Sequence, residues 1–247
     1  MGAARHLSRA PIVEALIQIS VVLPPGTDLQ AAVTAHRRIE GDYPKTRKRF
    51  RGELRIDVSQ GLLPSVEPSP ATVGYLYLNE QETRIAQFNA DSFSFNWLKP
   101  YETWEAFRDA ARAIWPVYLD ALKPITVTRI GLRYINDLAI PLSIASFDEV
   151  LSAPPTVPEG LPQAISSYFD RAVIEDTKRG AGAIIMRTIE SQPKNGVLPV
   201  ILDVDVFKDG AFEAASGEIW DVLEMLHDFK NEVFFRSITR KLEETYL

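Results

Sequence analysis

The sequence contains no cysteine and only three histidines in 247 residues. The lack of thiols excludes disulfide scaffolds, thiolate zinc sites, iron–sulfur clusters and cysteine nucleophiles. Isolated His6 and His36, with His227 far along the chain, leave no basis for a histidine-rich metal site. No apolar run reaches the 18 or more residues of a membrane span, so no membrane role is expected. No signal-like apolar segment precedes the first strand-like stretch, which makes the cytoplasm the expected location. Neither charge sign dominates: 27 Lys+Arg stand against 33 Asp+Glu, a net charge of -6. That balance argues against nucleic-acid binding over the whole surface but leaves room for a local basic patch. The phosphate-loop, dinucleotide, nucleophile-elbow and HExxH signatures are missing. Any catalysis would rest on Asp, Glu, Arg, Lys, Tyr or Ser, and no cofactor is implied.

A hydrophobic content of 46% with 24% charged residues is that of a folded globular chain and excludes wholesale disorder. Val13 to Leu23 alternates as a half-buried strand, with Val13, Ala15, Ile17, Ile19, Val21 and Leu23 on one face and Glu14, Gln18 and Ser20 on the other. Pro24-Pro25-Gly26 ends it, and Asp28 is placed to cap a short helix. Further strands are expected at Leu54–Ser59, Thr72–Asn79, Arg84–Ala90 and Ser92–Trp97. Trp104, Phe107, Ala111, Ile114, Trp115, Tyr118, Leu119 and Leu122 then repeat at helical spacing. Pro100 suits the start of that helix and Pro116 should kink or divide it. Ile125–Ile140 reads as a long strand, with Ile130, Leu132, Tyr134 and Asn136 on one face and Val127, Arg129, Gly131, Arg133 and Ile135 on the other. Tyr168–Glu175, Ala181–Glu190 and Val197–Phe207 read as three antiparallel strands. A closing helix is expected over 216–242, with an apolar stripe from Ile219 to Phe234.

These elements predict an α+β fold: antiparallel sheet packed against two long amphipathic helices, near 101–122 and 216–242. A single domain over 1–247 is expected. Two similar halves, 1–140 and 163–247, joined by the Pro-rich stretch 153–162, are the finer form; one continuous curved sheet gripping both helices is the alternative.

Four segments carry a family resemblance. They are Arg9-Ala10-Pro11-Ile12-Val13-Glu14-Ala15, Asn96-Trp97-Leu98-Lys99-Pro100-Tyr101-Glu102-Thr103-Trp104, Arg129-Ile130-Gly131-Leu132-Arg133-Tyr134-Ile135-Asn136 and the helix from His227 to Thr239. Together they resemble the TIGR sporadically distributed family of uncharacterised bacterial proteins, over nearly the whole chain. The resemblance implies a bacterial origin and no particular mechanism. The sporadic distribution it implies suits an accessory role, such as a toxin–antitoxin or defence partner.

Arg129 and Arg133 flank Gly131 on one strand face, roughly 13 Å apart at the strand repeat. The missing side chain at Gly131 leaves a concavity where two guanidiniums could clamp a carboxylate or phosphate. Glu14, on the polar face of the first strand, is the expected partner of Arg133. The structural alternative is ion pairing with neighbouring strands. Asp203 and Asp205 share one face of their strand, an arrangement that can hold a divalent cation given a third carboxylate and a phosphate cradle; neither is evident, and salt-bridged carboxylates are the plainer reading. His227, Lys230 and Asn231 lie beside the stripe of the last helix, where a helix-to-sheet hydrogen bond is expected. Arg37 to Arg55 is the one charge anomaly. Within it Arg47, Lys48, Arg49 and Arg51, with Tyr43 and Phe50 interleaved, suit a nucleic-acid backbone in a loop, although charge runs are more often solvated faces.

The leading functional reading is a non-enzymatic binding or assembly module with a protein partner or a second copy as homodimer. The alternatives are a small anionic-ligand protein or enzyme, with a pocket between sheet and helices, and nucleic-acid binding through 37–55.

Overall fold

Alternation decides the centre of the fold. β1 (Ile12–Val22) turns Ala15, Ile17, Ile19 and Val21 to one face, all buried, and Glu14, Gln18 and Ser20 to the other. β6 (Thr126–Pro141) pairs with it antiparallel, setting Ile17 against Leu132 and Ile19 against Ile130. The computed structural model describes residues 7–51, 71–189, 193 and 196–247. The expected strand Leu54–Ser59 lies outside the described residues, as do His6, Arg55, Glu190, Lys194 and Asn195.

The other strands extend this seam on both sides. They are β2 (Lys45–Arg51), β3 (Ala71–Leu78), β4 (Arg84–Asn89), β5 (Ser92–Leu98), β7 (Tyr168–Asp176), β8 (Ala181–Ile189) and β9 (Val197–Phe212). They form one nine-stranded antiparallel sheet in the order β2-β3-β4-β5-β1-β6-β9-β8-β7. The chain is thus mixed α+β. On each side of the seam the last strand of a meander returns beside the strand that began it, β5 beside β1 and β9 beside β6, and a helix follows.

Those helices cover one face of the sheet. α1 (Gln30–Ala35) packs on α2 (Trp104–Leu122); α2 lies over β4 and β5, and α3 (Glu218–Ser237) over β6 and β9. The core between them is aromatic. Tyr118 meets Phe88 edge-on at 5.3 Å, Phe95 stacks on Phe107 at 5.8 Å, and Trp115 donates its indole N–H to the Ala214 carbonyl at 3.1 Å. Such rings bury large apolar area, and the edge-on pairs add directional contacts. No helix among the described residues is long and apolar enough to cross a membrane.

Several local expectations are corrected. Pro100 does not open α2: the helix starts at Trp104, where the Thr103 side chain caps the Ala106 N–H. Pro116 neither ends nor divides it, because Trp115, Val117 and Tyr118 around it are all buried and hold the turn in place. The closing helix stops at Ser237 rather than 242. Ile238 takes an extended conformation (ψ 155°) and bridges to Leu151, and Thr239 caps a separate short helix, α4 (Arg240–Glu243). Val127 sits on the core face rather than beside Arg129, because a bulge against Ser20 and Val21 of β1 inserts one residue, Thr128, between them. The basic run 45–51 is an edge strand, not a loop.

The face away from the helices is polar, and one glycine on it is dictated by packing. A Cβ at Gly182 would lie 2.6 Å from the Phe207 ring, which lies across it from the neighbouring strand. Arg129 in turn rests on that ring, 3.6 Å from its centroid. Gly182→Val should therefore expel Phe207 and lower stability by about 1–3 kcal/mol, read as a fall in thermal midpoint; an unchanged midpoint would contradict the stacked arrangement.

Candidate ligand cavity between the sheet and the helices

The arginines singled out in the sequence do not form a clamp. Arg133 makes a two-pronged bond to Asp203, Nε to Oδ1 at 2.8 Å and Nη2 to Oδ2 at 2.5 Å. Glu14 is not its partner: Oε1 of Glu14 accepts from Asn96 at 2.5 Å. The register sets Glu14 on β1 and Asp203 on β9 both opposite Ile135, diagonal to Arg133 on either side; Glu14 is taken by Asn96, and the buried Asp203 offers both oxygens to the guanidinium. The bond to Asp203 raises the Arg133 pKa. Arg129 turns to Asp205 and Asp209, at 3.7 and 3.6 Å. Burial pushes the Asp205 carboxyl up, against the pull of Arg129 and Arg133. Asp203 and Asp205 are therefore ion-pair members, and among the described residues no group of three or more His, Asp or Glu is placed to hold a metal.

The basic stretch is similarly occupied. Arg47 reaches Glu82 at 2.6 Å and Lys45 reaches it at 3.4 Å, while Arg49 donates to Gln87 and Asn89. Lys48 is exposed. Arg51 ends the strand.

A different group of residues converges. A cavity of about 640 Å³ lies on the helix face, where β1 begins and β5 ends beside Asn136 of β6, under α3. All of its wall except Leu7, Ser8 and Glu105 comes from four stretches of the chain, residues 9–15, 96–104, 129–136 and 227–239. Arg9 to Ile12 lead into β1; Lys99 to Trp104 cross from β5 into α2; Asn136 projects from β6; His227, Lys230, Asn231, Phe234 and Phe235 descend from α3.

Lys230 is the unusual member. It is 7% exposed and forms no ion pair among the described residues. Its Nζ donates to Asn231 Oδ1 at 2.7 Å and sits 3.8 Å from the centroid of the Tyr134 ring. Burial lowers its pKa from 10.5 to about 7, because an ammonium without a counter-charge loses its hydration. The π-face of Tyr134 opposes that loss only in part. Asn231 passes its other amide end on: Nδ2 donates to His227 Nε2 at 3.3 Å. That orientation, set by the lysine bond, makes Nε2 the acceptor and places the imidazole proton on Nδ1. His227 stacks flat on Trp104 at 4.5 Å, and burial, Lys230 and Arg108 together lower its pKa to about 3, so it stays neutral. Trp104 and Arg108 on α2 both bond Glu224 on α3, tying the two helices beside the cavity. Below, the Tyr101 and Tyr134 hydroxyls share a hydrogen bond of 2.8 Å, and burial raises both pKa values.

Chemically, this is a chamber of mixed lining: apolar side chains, the charged Arg9, Lys99, Glu102 and Glu105, a neutral imidazole, and a buried amine with no ion pair among the described residues, backed by a phenol pair. The helix-to-sheet hydrogen bond expected of His227 and Asn231 is instead a relay along α3 with a stack onto α2. Lys230 carries a signal that sequence reading could have used: it stands four residues from Leu226 and four from Phe234, within the apolar stripe. No family model and no curated protein matches the chain.

Two outcomes follow. Arg133→Ala should cost about 3 kcal/mol, mostly from stranding the buried Asp203 carboxylate, whereas Glu14→Gln should cost under about 1 kcal/mol; equal losses in denaturant titration would restore Glu14 as the partner. For Lys230, the folded pKa lies below the unfolded one, so the unfolded chain binds more protons between about pH 7 and 10.5. Stability from this group therefore rises with pH across that window. Lys230→Met should raise the thermal midpoint at pH 7 and flatten the rise between pH 7 and 10, and a variant less stable than wild type at pH 7 would contradict an uncompensated charge.

Proposed function

We propose that the cavity binds a small anionic molecule, a carboxylate or phosphate, whose charge is met by Lys230. The observation that carries this reading is the buried lysine in the wall of a preformed chamber, with no ion pair among the described residues. A buried ionisable group that destabilises the empty protein is retained where it meets a ligand. The volume of about 640 Å³ falls in the range of small-molecule sites, which combine apolar walls with few polar anchors. Ile12, Tyr101, Trp104, Phe234 and Phe235 supply the apolar walls, with Tyr134 behind Tyr101 and Lys230. The resemblance of four segments to one bacterial family is read as a shared ligand site, because those segments supply nearly all of the wall. The two halves are read as one strand–meander–helix unit used twice, with the chamber formed beside the contact of α2 with α3. No bond-making step is assigned; the role is binding, in an accessory bacterial protein.

The anion would draw a proton onto Lys230, so affinity should be greatest below about pH 7 and fall as pH rises toward the raised pKa of the bound lysine. The other titratable groups facing the chamber are Arg9, Lys99, Tyr101, Glu102, Glu105, Tyr134 and His227. With AMP and citrate as probes, the ligand-induced rise in thermal midpoint should be larger at pH 6.5 than at pH 9 and vanish in Lys230→Met. A midpoint shift that survives in Lys230→Met would refute the assignment.

A further inference from the structure

The two edges of the sheet are built differently. β2 carries five cationic residues in seven, and charge on an edge strand discourages pairing with another chain. β7 lacks that protection. It pairs only with β8 among the described residues, and Phe169, Val173 and Ile174 are 61%, 51% and 42% exposed. Its charges are also sorted. Asp170 and Asp176 are neutralised inside the chain by Arg187 and Arg179. Arg171 and Glu175 are exposed and make no ion pair among the described residues.

We propose that β7 pairs with β7 of a second copy of this chain, antiparallel about a two-fold axis through Val173, joining the two sheets edge to edge. Side-chain alternation restricts the register. Two copies of one strand related by a two-fold normal to the sheet place each residue opposite one on the same face, so the axis passes through a residue. An axis at Arg171 sets that arginine against itself. At Ala172 it sets Arg171 against Val173 and Glu175 against Phe169; at Ile174 it sets Glu175 against Val173. Only at Val173 does each Arg171 face the partner's Glu175, twice on one face with a valine pair between them, while on the other Ala172 faces Ile174 and Asp170 faces Asp176, each of those carboxylates already neutralised by Arg187 or Arg179 of its own chain. Opposite charges and β-branched pairs directly across a ladder stabilise it, and like charges destabilise it. The edge is complementary to itself, which identifies the occupant as a second copy. Main-chain hydrogen bonds supply the adhesion and the palindromic charges supply the register.

The test is sedimentation velocity on the full chain at physiological salt. Wild type should sediment as a dimer. Arg171→Glu places glutamate against glutamate at both ends and should weaken association about tenfold or more. The double variant Arg171→Glu/Glu175→Arg restores both pairs and should restore the dimer. Both side chains are exposed, and circular dichroism melting confirms that each variant is folded. A wild type that stays monomeric, an Arg171→Glu variant as dimeric as wild type, or a folded double variant that fails to regain the dimer would each overturn the proposal.

Discussion

The antiparallel pairing of β1 with β6 is the constraint on which the rest depends. It joins the two meanders into one sheet, and its register fixes which face of every other strand is dry. Ile17 against Leu132 and Ile19 against Ile130 point one way, and Leu16 against Arg133 and Gln18 against Gly131 point the other. A slip of one residue would exchange the two faces and bury arginine beneath the helices. The helices follow from that choice, since α2 and α3 can bury their apolar stripes only on the dry face.

The polar face is organised by hydrogen bonding rather than by apolar burial. Arg49 donates to Gln87, Gln87 to Asn96 and Asn96 to Glu14, a chain that crosses from the edge strand β2 to the central β1. Beyond β1, Arg133 with Asp203 and Arg129 with Asp205 and Asp209 tie β6 to β9. Asn96 is buried within this network although polar, which is tolerable where partners lie within reach. The arginines therefore hold strands together, and the chemistry of a ligand site falls to the opposite face.

On that opposite face the dry core opens into a chamber where β1 begins and β5 ends beside Asn136 of β6, under α3. Its polar groups are held by their own neighbours: Lys230 by Asn231, Asn231 by His227, His227 by the Trp104 ring, Tyr101 by Tyr134. Glu102 and Glu105 also line the chamber, yet among the described residues no carboxylate pairs with Lys230, and burial without a paired charge makes the residue costly to the protein.

The sequence by itself determined the fold class and most of the elements. Period-two alternation in 13–23 and 125–140 and the helical stripe from Trp104 to Leu122 are local properties that burial reinforces, so the strands and α2 lie close to where the pattern put them. Local rules misplaced the breaks. Pro116 is carried through by buried neighbours, and Ile238 is pulled from the helix by a strand bridge to Leu151. Partner choice was not legible at all. Both Glu14 and Asp203 stand opposite Ile135 on strands next to β6, and only the side-chain hydrogen bonds of the assembled sheet, with Asn96 of β5 on Glu14, left Arg133 to Asp203. The chamber was equally hidden. Its walls come from residues 7–12, 99–105, 136 and 227–235, and no local pattern links segments so far apart in the chain. Tertiary structure alone brought them together, because the strand order and the seating of α3 are set by burial of the whole core rather than by any one segment.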